Sequence, residues 1–311
     1  MKKSFLLLLL FTNAFIFAQV DSTTVEKQGR FKTAGTVLKN SILSVPTDFT
    51  EMGHTVSSDW KRTAIYAGGI VGLIATDKIT TGFLHDHIEP SIDYNIPRID
   101  VLKTKVDWLD GNNAYILYPI LGLYAGSFAL NHQKGQTVAV NAVKAITYSY
   151  VISHLILKSL TGRNRPQRPI SDDNPAIAPW TKDNWDFGNY HPVYLESKAD
   201  GTSFPSFHAT FYFSVAKVFQ MEYNNYWIPY TIATGVFMAD MKGHNHWVSD
   251  LLVGGLVGTI IGKSIVNSSR KQLAKNNNTA VIENPNKFKM NKQFVPQITS
   301  SMVGFHFTGS F

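Results

Sequence analysis

Cysteine is absent from all 311 residues. This excludes disulfides, thiolate metal centres and lipid attachment to a cysteine behind a leader, so an oxidising compartment would add no cross-link to this fold. Acidic residues are also scarce, 22 against 29 Lys and Arg, for a formal charge of +7. The positive residues are dispersed, with no long basic run, no heptads and no zinc-finger spacing. That disfavours nucleic acid as a partner and fits anionic or phosphorylated molecules of a cell envelope. The third shortage is of long uncharged apolar runs. Ala114–Leu130 carries no charge but falls short of the ~20 residues that cross a bilayer, and the apolar stretch after Trp247 includes Asp250 and Lys263. With a mean hydropathy of −0.06, both a membrane surface and a bilayer stay open as partners.

Residues 1–18 read as an export signal: Lys2 and Lys3, an apolar stretch from Phe5 to Phe17, and the small Ala18 before Gln19. Export would place the protein in the cell envelope, facing the periplasm. Residues 19–61 are polar, broken by Pro46, and are expected to be irregular. Six helical segments follow, approximately Arg62–Phe83, Asn113–Leu130, Val138–Leu160, Phe207–Met221, Trp227–Asp240 and Trp247–Val266. Together they predict an all-α helical core over residues 62–266. Its long Thr161–Pro205 connection, rich in Pro, Asp, Asn and Trp, has the size of a binding rim or lid. Residues 267–286 read as a linker. In residues 287–311, Phe288, Met290 and Phe294 alternate with polar residues, as do Val303, Phe305 and Phe307, which predicts a short C-terminal β-hairpin around Ser300.

Three clusters carry chemistry. The first is Lys158-Ser-Leu-Thr-Gly-Arg163-Asn-Arg165-Pro166. Three cations this close repel one another unless they are solvated or an anion sits between them; the planar fork of arginine suits phosphate oxygens, and lysine acts as a point charge. The second is Pro205-Ser206-Phe207-His208, directly before an apolar helix. Ser206 is a natural N-cap, the first-turn N–H groups make an anion site, and a histidine there can donate a proton to what is bound. The third is His246-Trp-Val-Ser-Asp250. Four residues apart on a helix, the two side chains share a face. A carboxylate on one ring nitrogen fixes the tautomer and leaves the other nitrogen as a nucleophile. Together these are the parts that phosphoryl transfer needs.

In this order and spacing the clusters resemble the type 2 phosphatidic acid phosphatase and vanadium haloperoxidase superfamily. Lys158, six residues, then Arg165-Pro166 matches its first signature. Pro205-Ser206-Phe207-His208 is similar to the second, and His246 to Asp250 matches the end of the third. The resemblance implies a six-helix bundle core and a metal-independent phosphatase that needs no cofactor. His246 would be the nucleophile that becomes phosphohistidine, Asp250 its orienting partner and His208 the acid for the leaving alcohol. Lys158, Arg165, Ser206 and the backbone N–H of Phe207 would bind the phosphoryl oxygens. The substrate implied is a phosphate monoester or pyrophosphate, on a lipid of the envelope or another phosphoester.

Two positions depart from the pattern. Phe207 stands where a glycine is usual. More seriously, the third signature normally opens with Ser-Arg, and here those positions are Ala239 and Asp240. A carboxylate there would repel phosphate, so Lys242 and Arg163 are the candidate compensating cations. Because of Asp240, a non-catalytic phospholipid-binding or structural protein of the envelope with a degenerate site stays an alternative. A vanadate-dependent haloperoxidase, which uses the same kind of pocket, is another. His85-Asp86-His87 and His244-Asn245-His246 also raise a metal site, but His-x-His spacing makes side chains diverge on a helix, and no metal is expected.

Overall fold

The computed structural model describes residues 29–92, 94–99, 111–170, 174, 176–190, 200–241 and 245–276, together with the backbone of residues 291–299 and 302–310. Among the described residues, eight helices begin in the first of two compact units: α1 (Arg30–Leu43), α2 (Val45–Ser57), α3 (Trp60–Phe83), α4 (Ala114–Ala129), α5 (Gln133–Thr161), α6 (Phe207–Tyr223), α7 (Trp227–Met241) and α8 (Val248–Asn276). The protein is all-α, and its last six helices are those expected from the sequence. Local chemistry sets several of their starts. Asp59 caps α3 by accepting from the N–H of Lys61 at 3.0 Å, and Ser206 caps α6 by accepting from Ala209 N–H. Within α5, hydrogen bonding widens to the π pattern over Ser149–Leu157 before Lys158–Thr161 returns to α. Such widening changes the face on which the following residues lie.

The irregular segment expected over residues 19–61 is helical from Arg30 to Ser57. Pro46 falls in the first turn of α2, where its missing N–H costs nothing. The pattern was hard to read because the buried side of these helices carries Thr33, Asn40 and Asp48 beside Ala34 and Val37. Tertiary hydrogen bonds replace apolar contact there. Asp48 accepts from Lys144 at 2.9 Å and from the Tyr148 hydroxyl at 2.8 Å, both on α5. The linker expected from residue 267 also gives way at its start, since α8 continues to Asn276. The expected signal peptide, residues 1–18, lies outside the described residues.

Helix α6 lies at the centre of the bundle, with Phe211, Tyr212 and Val218 fully enclosed. Helix α8 reaches it through Gly254, Gly258 and Gly262, one per turn. A Cβ added at any of the three would stand less than 3.0 Å from a backbone carbonyl of α6, that of Ser206, Thr210 or Ser214 respectively. This close approach brings the start of α8 to the start of α6, where Ser206 N–H donates to Asp250 O at 3.0 Å. Helices α5 and α8 are long and apolar enough to cross a membrane by length and composition, though much of their apolar surface packs inside the bundle. In the second unit, β3 (Asn291–Thr299) pairs antiparallel with β4 (Met302–Ser310), with Thr299 opposite Met302, as a short hairpin.

The glycine contact yields a paired expectation. Gly258→Ala overpacks the α6–α8 seam and should cost about 1–3 kcal/mol. Gly68→Ala on α3, where an added Cβ meets nothing within 4 Å, should be neutral or gain up to about 1 kcal/mol from helix propensity. Thermal unfolding of the two variants checks the contrast.

Candidate active site

Helix α5 stops at Gly162, whose φ of +55° a side chain would resist and whose Cα faces the Asn189 backbone too closely for a Cβ. The chain then leaves extended. Ser203 N–H donates to Arg163 O at 2.9 Å, and Arg165-Pro166 (β1) pairs parallel with Trp180-Thr181 (β2). This short stretch turns Arg163 and Arg165 in different directions, and their environments differ accordingly.

Arg163 is fully buried. One guanidinium nitrogen donates to Asp250 Oδ1 at 2.6 Å and to Ser249 Oγ at 2.7 Å; the other donates to Asp77 Oδ2 at 2.7 Å and to Asn184 O at 2.6 Å. The rings of Phe187 and Trp247 lie about its cation, 5.0 and 5.1 Å from centroid to Cζ. Expected as a candidate compensating cation for phosphate, Arg163 is instead the counter-ion of two buried carboxylates. Both terminal nitrogens are already committed, so it has no fork left to offer an anion. Lys242, the other candidate, lies outside the described residues.

Around this ion triad the first turn of α8 is tied down. Ser249 N–H donates to Asp77 Oδ1 at 2.9 Å, Val248 N–H to Thr81 Oγ1 at 3.0 Å, and Trp247 N–H to Asp250 Oδ2 at 3.0 Å. These satisfy the orphan donors of a helix start. Ser203 Oγ also donates to Asp250 Oδ2. Asp77, Thr81, Ser203 and Ser249 did not emerge from the motifs. One signal was available for Asp77: it is a lone carboxylate in the apolar run of α3. Burial pushes its carboxyl up, against the hydrogen bonds of Ser249 and Arg163 that hold it down.

Asp250, so held, presents Oδ2 to His246 Nδ1 at 3.3 Å. On the far side of the ring, Nε2 lies 3.4 Å from an Arg165 guanidinium nitrogen. His246 is only 4% exposed. Arg165 also reaches Thr202 and the Asn245 carbonyl with long contacts of 3.3–3.4 Å. Burial brings its guanidinium down to about 10. Lys158 is 3% exposed, and its ammonium has no hydrogen-bond or ion-pair partner among the described residues. Burial, and next the like charge of Arg165, push it well below the ordinary lysine range. Two enclosed cations with no carboxylate bonded to either are costly unless an anion completes the site.

Ser206 and Phe207 stand at the start of α6, both buried. The ring of Phe207 packs against His154 and Phe211, with centroids 5.7 and 5.9 Å away. His208 Nδ1 lies 3.6 Å from Asp240 Oδ2, and Asp240 Oδ1 accepts from the Asn112 amide at 3.1 Å. Asp240 therefore faces an imidazole and an amide donor. His85 and His87 diverge, the first toward Glu89 at 3.9 Å and the second stacked on Phe83.

If Arg163 is the counter-ion of Asp77 and Asp250, Arg163→Met should cost about 3–5 kcal/mol of stability by leaving two buried carboxylates uncompensated. Arg163→Lys should restore little of it, since one ammonium cannot span both partners. Denaturant unfolding of the two variants measures the loss. A variant of unchanged stability that only weakens anion binding would contradict this assignment.

No curated protein and no solved structure matches the chain. Residues 138–273 match the PAP2 superfamily, and that stretch holds Lys158, Arg165, Ser206, His208, His246 and Asp250. This match, which spans less than half of the chain, together with the all-α bundle supports membership of the PAP2 superfamily.

Proposed function

We propose that the protein hydrolyses a phosphate monoester or pyrophosphate through a phosphohistidine on His246, acting on a lipid of the cell envelope at the membrane. The observation that carries this reading is the pair of enclosed cations, Lys158 and Arg165, beside a histidine backed by a carboxylate. Membership of the superfamily fits phosphatase-type chemistry on phosphoesters, and the two long apolar helices fit a place at a membrane. The lipid preference rests on those helices and on the export signal expected from the sequence.

In this mechanism His246 Nε2 attacks phosphorus, and a P–N bond forms as the ester P–O bond breaks. His208 gives its proton to the departing oxygen. Lys158, Arg165, the Ser206 hydroxyl and the Phe207 N–H take the charge that collects on the phosphoryl oxygens. Asp250 stays ionised and stabilises the cationic ring of the intermediate. Water then attacks phosphorus, the P–N bond breaks, and His208 recovers a proton from that water.

Phosphate release from phosphatidate, an isoprenoid diphosphate and a soluble ester, with His246→Ala as control, tests the proposal. Release should fall to background in the variant, and equal release from both proteins would refute the mechanism. Phosphate binding without turnover in the unaltered protein would instead favour the binding-protein alternative.

Lys158 adds an expectation of known sign. Burial depresses its pKa in the free site, and a bound dianion favours the charged form. Across the window between the free and bound values, binding must take up a proton, so affinity falls as pH rises. Sulfate, whose own charge is constant there, is the suitable probe. Calorimetric titration in buffers of different ionisation enthalpy should show proton uptake that disappears in Lys158→Met.

A further inference from the structure

We propose that Asp240 is the positioning residue of His208: its carboxylate takes the imidazole Nδ1–H, directs Nε2 at the phosphate site and holds the ring cationic. The role of His208 as acid rests on the phosphatase reading above; the pairing itself does not.

The placement of Asp240 argues that it is held on purpose. It sits in the last turn of α7, where the helix dipole opposes a carboxylate, and its side chain is only 12% exposed. Such a charge needs donors. The Asn112 amide, from the turn before α4, donates to Oδ1 at 3.1 Å, and His208 Nδ1, from the first turn of α6, stands 3.6 Å from Oδ2, at ion-pair distance. Tyr212, one turn on from His208 with ring centroids 5.9 Å apart, donates its hydroxyl to Asn113 Oδ1. Burial and the neighbouring Asp240 hold its phenol well above the ordinary range.

The surroundings explain why His208 needs a carboxylate. A continuous set of contacts links Arg165 to His246, His246 to Asp250, and Asp250 to the backbone of Ser206, two residues before His208. Lys158 and Arg165 belong to this cluster, and their like charge, fullest when Lys158 is protonated, disfavours a further cation on His208. Asp250 offsets them in part, but its oxygens bond Arg163, Ser203, Trp247 N–H and His246. Asp240 supplies the opposite charge directly at the ring.

The outcome is two histidines, each with a carboxylate at Nδ1 and Nε2 left as the working atom. His246–Asp250 carries the nucleophile and His208–Asp240 the proton. When the ester bond breaks, the proton on His208 Nε2 passes to the leaving oxygen. When water attacks the phosphohistidine, the neutral ring takes a proton back. Asp240 stays ionised throughout. On this account the carboxylate at residue 240 is part of the proton-transfer machinery and not a decayed anion clamp.

Two measurements test the pairing. The first needs no turnover. In the full chain with isotope-labelled histidine, the His208 imidazole, assigned by its loss in His208→Gln, should titrate about 1 pH unit or more lower in Asp240→Asn than in the unaltered protein. An unmoved midpoint would overturn the proposal even if the protein proved inactive. The second compares leaving groups. Asp240→Asn should lose about tenfold or more turnover on an alkyl phosphate, whose alkoxide must be protonated, while p-nitrophenyl phosphate is nearly spared. The alkaline limb of kcat/KM for the alkyl ester should move to lower pH. Equal losses on both esters, or an Asp240→Arg variant that turns over both faster, would sink it. Background release by the unaltered protein, no greater than that of His246→Ala, would count against the phosphatase reading and leave the titration result to decide the pairing.

Discussion

The structure around the site depends on the buried Asp77–Arg163–Asp250 ion triad. Its three members come from α3, from the chain leaving α5, and from the first turn of α8. The guanidinium also holds the Asn184 carbonyl of the long connection. Such a triad contributes little net stability compared with apolar packing of the same volume, but it is unforgiving of the loss of one member. What it provides here is geometry. Asp250 is anchored by Arg163, Ser203 and the Trp247 N–H before His246 approaches it. The orientation of the imidazole is therefore set by groups that never need to touch a substrate.

Charge balance divides the polar residues into two sets. Arg163 is balanced by carboxylates within the protein, whereas Lys158 and Arg165 are enclosed with none bonded to them. Two arginines two residues apart in sequence thus have different surroundings, one bonded to carboxylates of the protein and one, among the described residues, bonded to none. The same logic reaches Asp240, which meets an imidazole and an amide donor. An acid in place of the superfamily's usual arginine need not undo phosphate binding if its charge is answered by a histidine.

Helix packing brings the sets together. The α6–α8 approach through Gly254, Gly258 and Gly262 places the N-terminus of α6, with its free N–H groups, beside the His246–Asp250 pair. A side chain at any of these glycines would push the start of α6 away from the His246–Asp250 pair. This links a feature that reads only as small residues in the sequence to the assembly of the site.

Much of this was legible before any fold was seen. Helical periodicity showed the last six helices, because their buried faces are apolar and repeat with the helix turn. It failed for α1 and α2, whose inner faces carry Thr33, Asn40 and Asp48 and are stabilised by Lys144 and Tyr148 from more than ninety residues away. Local spacing sufficed for His246 with Asp250, since one turn of helix sets their distance. By itself, then, the sequence determined the helices, the chemical kinds of group available and the neighbours one turn apart. Only the tertiary structure decided which cation is neutralised by carboxylates and which is not, and that Asp77 bonds Arg163 and Asp240 lies beside His208. The reason is physical: the charge a residue presents depends on what is buried against it, and those partners are distant in sequence.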